Sequence, residues 1–149
     1  MITEAREAGK NFLLIMSDLN GLKYVNDSFG HSEGDNLINT AAGLLSCTRV
    51  SGASCEKNFR IGGDEFVKAA YGDITQQGID EFRREISEKV NITNSTSCKP
   101  YPIYMPIGTC LRSPGDIPDC DKMLSSADEA MYADKIRLKS VTGFDPKRK

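Results

Sequence analysis

Five apolar residues, Phe12 to Met16, run without a break and close on Ser17-Asp18. So short and continuous a run reads as a central strand over 11–17, buried on both faces. The end of a helix precedes it over 2–10, where Ala5 and Ala8 stand among charges, and Asn20-Gly21 follows it as a sharp turn. After Gly30-His31 the period changes. Leu37, Ile38, Ala41, Ala42, Leu44 and Leu45 recur at threes and fours, one apolar helix face. Ser32, with Asp35 three places on, reads as the cap of that helix with an acid in its first turn. Residues 57–61 and 65–71 predict two strands joined through Gly62-Gly63-Asp64. Ile79, Phe82, Ile86 and Val90 predict a helix over 74–90, and the Asn, Ser and Thr of 91–100 predict a loop. Residues 101–112 alternate as a strand that Pro102 and Pro106 confine to an edge or bulge. A loop from Asp116 to Asp121 leads into a last helix to Lys139, with Met123, Leu124, Ala127, Ala130 and Met131 facing inward. Pro146 to Lys149 reads as a frayed tail.

The resulting order, β-α-β-β-α-β-α, is the α+β, ferredoxin-like split βαβ: an antiparallel sheet, expected here with helices packed on one face. Composition narrows the function. At 149 residues the chain fits one domain able to bury a core without staples. A net charge of −2 argues against nucleic-acid binding through a basic face. No apolar run approaches the roughly 18–20 residues of a membrane span, so no membrane contact is expected. The polar start shows no secretory signal, and five cysteines without a CxxC pair suit reduced thiols, so the expected location is cytoplasmic. Asn91-Ile92-Thr93 and Asn94-Ser95-Thr96 match the glycosylation pattern, but in this setting they read as a polar loop.

Candidate chemistry gathers at two acidic turns. Asp18 ends the buried strand, and Asp64 sits in the hairpin turn before Glu65. A ferredoxin-like sheet places the first strand beside that hairpin, so the two acids approach each other. Carboxylates that close repel unless a cation lies between them. One or two carboxylates with substrate phosphates are how proteins hold Mg²⁺, and two preceding glycines let a nucleotide approach the backbone.

Longer strings are more specific. Arg60-Ile61-Gly62-Gly63-Asp64-Glu65-Phe66 resembles the signature of the GGDEF family, the diguanylate cyclases. Asp18-Leu19-Asn20-Gly21-Leu22-Lys23-Tyr24-Val25-Asn26-Asp27, with Gly30-His31 and Gly34-Asp35, resembles the family's first-strand motif and its continuation. Ala127-Asp128-Glu129-Ala130-Met131-Tyr132 with Lys135 resembles its last helix. These strings cover about residues 10–140 in the family's order.

The resemblance implies a nucleotidyl cyclase or polymerase-palm type of fold. It also implies condensation of two GTP into cyclic di-GMP with release of pyrophosphate, each of two facing domains holding one GTP. Mg²⁺ or Mn²⁺ would be held by Asp18, Asp64 and the Leu19 carbonyl, with Asp64 and Glu65 catalytic. Gly62 and Gly63 would leave room for the nucleotide. Asn26 and Asp35 would read guanine, because a carboxylate accepts from N1–H and the exocyclic amine, a donor pair adenine lacks. Lys23 and Lys135 would contact the triphosphate as point charges, joined by Lys139. His31, the only histidine, is expected to pack the turn. Implied partners are GTP, a second copy of the domain, and an upstream sensory or dimerising region. A catalytically inactive GTP- or dinucleotide-binding regulatory module is the alternative.

Departures from the pattern qualify this picture. Lys139 and Ser140 replace the family's Arg and Asn, and lysine lacks bidentate phosphate geometry. Asn20 and Leu22 stand where Asp and Phe are commoner. Ala53 and Glu56 occupy the Arg-x-x-Asp positions of the family's product-inhibition site, which predicts no feedback through it. The usual segment before the first strand is missing, so the chain reads as a single trimmed domain.

Overall fold

β1 (Asn11–Asp18) runs antiparallel to both of its neighbours, β3 (Glu65–Gly72) and β4 (Ile107–Arg112). β2 (Ala53–Arg60) pairs antiparallel with β3, so the sheet order is β2-β3-β1-β4, the split βαβ arrangement. The computed structural model describes residues 1–143. Five α-helices complete the order: α1 (Ile2–Glu7), α2 (Leu22–Phe29), α3 (His31–Cys47), α4 (Gln76–Thr96) and α5 (Cys120–Thr142). The proposed tail at Pro146–Lys149 lies outside the described residues.

Helices cover both faces of the sheet, not one, and the apolar run in β1 is the reason. Successive strand residues point to opposite faces. Leu13 and Ile15 join a core with Val25 of α2, Leu37, Ile38 and Ala41 of α3, and Ile79, Phe82 and Ile86 of α4. Phe12, Leu14 and Met16 join a second core with Ala5 of α1 and Met123, Ala127 and Met131 of α5. Each such side chain contributes roughly 1.5–3 kcal/mol on full burial, so a strand greasy on both faces needs two covers. α5 crosses the sheet at Gly108, where a Cβ would fall on the Ala127 carbonyl.

Several elements differ from their sequence reading. α2 was not predicted: its apolar face is real, with Val25 buried and Leu22 packed beside it, but eight residues give that spacing little room to recur. α3 starts two residues early: Gly30, at φ +89°, rather than Ser32 is its N-cap, and Glu33 rather than Asp35 is the acid of its first turn. α4 continues through the supposed loop to Thr96. Thr93 and Thr96 hydroxyls donate to carbonyls one turn back, on Lys89 and Ile92, so these polar residues stay helical. β2 begins at Ala53, four residues before the expected start, with a bulge between Ala53 and Cys55. Only 107–112 of the predicted 101–112 strand pairs, consistent with prolines that lack an N–H for the ladder. Asp119 caps α5 by accepting from Lys122 N at 3.0 Å, which ends the preceding loop earlier. Among the described residues no helix is long and apolar enough to cross a membrane.

Candidate functional site

Asp18, the last residue of β1, stands opposite Glu65, the first of β3. One residue on, Leu19 donates its N–H to the Asp64 carbonyl at 2.8 Å. This bond places the hairpin acid beside the strand-end acid, as the sheet order required. The side chain of Leu19 is buried in the first core, which fixes the backbone of this turn. Asn20 N–H donates to the Tyr104 carbonyl at 3.1 Å, and Gly21, at φ +87°, turns the chain into α2.

The β2–β3 connection is held by Ile61 N–H on the Glu65 carbonyl (3.0 Å) and by the Arg60 guanidinium on the Gly63 carbonyl (2.7 Å from Nη2). Neither Gly62 nor Gly63 has a positive φ, so conformation calls for neither. A Cβ on Gly62 would crowd the Glu65 carboxylate, whereas one on Gly63 would enter open space. The loop therefore exposes bare backbone next to Asp64 and Glu65, both half-buried.

Lys135 reaches this corner from α5. Its Nζ lies 2.7 Å from Asp18 Oδ2, and both side chains remain partly open to solvent. A cation does sit on the strand-end carboxylate, but it is an ammonium from 117 residues away, which no local pattern in the sequence announces. Lys139 is exposed one turn further along α5.

α2 carries Lys23, exposed, and Asn26, half-buried. The Asn26 side chain rests on Gly34 of α3, so closely that a Cβ there would land on Asn26 Oδ1. Asp35, the next residue, is exposed beside this contact. Asn26 and Asp35 are thus brought together by the α2–α3 corner. His31 is the exposed first residue of α3.

The sequence reading missed Glu33. Its carboxylate accepts from Lys99 Nζ (2.6 and 2.9 Å) and from the Tyr101 hydroxyl (2.5 Å), and Asn36 adds a longer contact at 3.3 Å. The Lys99 and Tyr101 hydrogen bonds hold the Glu33 carboxyl below the usual range. Burial, then the facing carboxylate, push the Tyr101 phenol up to about 12. Both shifts keep the proton on the phenol and the charge on the acid. These partners are 66 and 68 residues away, with no motif to connect them.

Among the described residues there is no cluster of three or more His, Cys, Asp or Glu suited to a metal ion. The fold offers instead Asp18, the adjacent Asp64 and the Leu19 backbone, a hard-oxygen set of the kind Mg²⁺ uses together with substrate phosphates. Asp18 already carries a cation, so its carboxylate is placed to accept one. By chemistry these are hard oxygen donors, the type a divalent ion takes.

The family model for the diguanylate cyclase GGDEF domain matches residues 1–140. The signaling protein YkoW of Bacillus subtilis is 34% identical over 140 residues, 87% of this chain and 16% of that protein. Diguanylate cyclase DgcS of Shewanella oneidensis is 25% identical over 97% of this chain and 46% of its own length. The chain therefore spans less than half of either relative. Among solved structures, the GGDEF domain of DgcB from Caulobacter crescentus, in complex with c-di-GMP, has a TM-score of 0.75 at 27% identity, covering 91% of this chain and 78% of that one.

Proposed function

The chain belongs to the GGDEF family, and on that premise we propose that it is an active diguanylate cyclase domain working in the cytoplasm. It would condense two GTP into cyclic di-GMP and two pyrophosphates. Each 3′-oxygen bonds the other nucleotide's α-phosphorus while the bond from that phosphorus to the β-phosphate oxygen breaks. One observation supports the reading: the Leu19 N–H bond to the Asp64 carbonyl holds Asp64 next to the end of β1, where Asp18 stands, at an open glycine loop.

Asp18, Asp64 and the Leu19 carbonyl would hold Mg²⁺ or Mn²⁺, which when bound neutralises charge on the attacking and leaving oxygens. The protein's own groups do the rest. Asp64 is placed to take the proton of the attacking hydroxyl, and Glu65, at the start of β3, lines the same corner. Lys23, Lys135 and Lys139 bind the triphosphate as point charges. Asn26 and Asp35 accept from the guanine edge, and the open side of Gly63 leaves the nucleotide room. The second GTP arrives on a second copy of the domain.

Glu56 supports the absence of feedback through the family's usual site. Its carboxylate is 5% exposed and already bonded to Lys68, Arg49 Nε and Val50 N–H, and Ala53 offers no guanidinium.

The test is turnover with GTP and Mg²⁺ across protein concentrations, assaying pyrophosphate and cyclic di-GMP. Turnover per molecule should rise with concentration, as a two-copy active site requires. No product even when dimerisation is forced by a fused coiled coil would reject the reading. GTP binding without turnover would then support a silent regulatory module.

A further inference from the structure

The irregular segment between α4 and β4, residues 97–106, touches the site at both ends. Near its start, Lys99 and Tyr101 grip Glu33, two residues before Asp35. Near its end, the Tyr104 carbonyl accepts from Asn20, two residues after Asp18. Between them Asn94 pins Ile103 in both directions, its amide donating to the Ile103 carbonyl (2.9 Å) and its oxygen accepting from Ile103 N–H (2.7 Å). The segment is a strut anchored on the end of α4.

We infer that Tyr101, Lys99 and Glu33 form a clasp that positions the base-reading corner, and so set how well this domain distinguishes guanine from other purines. This rests on the reading of Asn26 and Asp35 as the residues that meet the base. The geometry argues for it in three steps. First, α3 has no side-chain cap: Gly30 precedes it, so its first turn lacks the usual local lock. Second, the clasp stands in that place. Tyr101 is 7% exposed, and its ring lies 5.5 Å from Phe29, the last residue of α2. Phe29 in turn meets Tyr24 edge-on at 5.9 Å, so one phenol contacts α2 through its ring and α3 through its hydroxyl. Third, the hydroxyl has a single proton. It goes to Glu33 Oε2 at 2.5 Å rather than to the Glu33 carbonyl at 3.3 Å, so it orients the acid's side chain. With α2 and α3 fixed to one buried ring, the Asn26–Gly34 contact and Asp35 keep a constant geometry toward a base.

Tyr101, Lys99 and Glu33 are positioning residues, and base discrimination is the readout that a merely structural role would not move. The experiment measures binding of non-hydrolysable GTP and ITP analogues with Mg²⁺ by calorimetry, since ITP lacks the exocyclic amine. The wild-type chain should prefer the GTP analogue. Tyr101→Phe, which keeps the ring, should stay folded with a melting temperature only a few degrees lower and lose about fivefold in GTP-analogue affinity, with a much smaller loss for the ITP analogue. Lys99→Ala should act in the same direction, and Lys99→Arg should restore the preference. An unchanged preference in Tyr101→Phe and Lys99→Ala, with the wild type still selective, overturns the clasp and leaves the cyclase reading standing. A wild type that binds neither analogue overturns both.

Discussion

The Lys135 ammonium lies 2.7 Å from Asp18 Oδ2, joining the last helix to the end of the first strand within the proposed site. Without nucleotide, Lys135 does for Asp18 what a divalent ion would do. In the proposed site the two cations would compete for one carboxylate, and a bound triphosphate would draw the ammonium away. Lys135→Met should therefore bind Mn²⁺ more tightly than the wild type when no nucleotide is present. A partly exposed pair of this kind is worth up to about 1 kcal/mol, or roughly fivefold in affinity. The same variant should bind Mn²⁺–GTP more weakly, having lost a phosphate contact. Electron paramagnetic resonance of free Mn²⁺ measures both. Equal or weaker metal binding by the nucleotide-free variant would show that the pair does not compete.

Asp64 separates structure from chemistry cleanly. Its bond to Leu19 uses the backbone carbonyl, which substitution leaves in place. Asp64→Ala should keep the fold, with unfolding free energy within about 1 kcal/mol of wild type. Product formation should fall by roughly a thousandfold or more, because several kcal/mol of charge stabilisation leaves with the carboxylate. Denaturant titration and a cyclic di-GMP assay report the two quantities separately. Near-normal turnover would remove Asp64 from the proposed metal set.

Gly34 offers the opposite test, a change that spares stability and harms recognition. A Cβ there meets only the end of the Asn26 side chain, which can swing aside. Alanine in a helix is favoured over glycine by about 1 kcal/mol, so Gly34→Ala should melt no lower than wild type. The displaced Asn26 amide should cost one base hydrogen bond, about 1 kcal/mol or roughly fivefold in GTP affinity. Unchanged affinity would place Asn26 away from the base.

What the sequence disclosed and what it hid follow from range. Phe12–Met16 announced a buried central strand because strand burial is written in consecutive residues, and the intact Gly62–Phe66 string announced the hairpin. The second helical layer was implicit in that same run, since a strand apolar at every position cannot face water on either side. α2 stayed hidden because eight residues, barely two turns, are too few for the Leu22 and Val25 spacing to stand out as a period. The end of α4 misled because its hydroxyls satisfy themselves on the previous turn instead of breaking the helix. Lys135 on Asp18 and Tyr101 on Glu33 join residues far apart in the chain, and only the fold brings them together.

Lys68 lies in the middle of β3 and is fully buried. Its ammonium donates to the Thr48 carbonyl (2.7 Å) and to Glu56 (3.3 Å), 5.7 Å from the centre of the Phe82 ring. Burial pulls its pKa down, and Glu56 partly opposes that shift. Removing one member of a buried pair strands the other charge and costs about 3–5 kcal/mol, whereas replacing both is far milder. Lys68→Met should lose stability on that scale in urea unfolding. Lys68→Met with Glu56→Gln should recover more than half of it, because glutamine still accepts from Val50 N–H (2.6 Å to Glu56 now) without a charge to strand. A double variant no better than the single would show that Glu56 is held by Arg49 and Val50 alone.

Alkaline stability isolates the Tyr101 clasp. The phenol titrates near 10 when unfolded and is pushed up to about 12 in the fold, so the native state keeps a proton that the unfolded chain releases. A raised folded pKa means a contribution fully present below pH 10 and lost between 10 and 12. By about pH 11 the loss should reach about 1 kcal/mol. Lys68, with its lowered pKa, pushes stability the other way as pH rises, so the wild-type profile alone is ambiguous. Subtracting the profile of Tyr101→Phe cancels Lys68 and every other shared group. The difference between the two proteins should shrink by about 1 kcal/mol from about pH 9 to about pH 11. Glu33 stays ionised throughout that range, so its own titration does not intrude. Parallel profiles in guanidinium melts would show that the phenol does not hold its proton against Glu33.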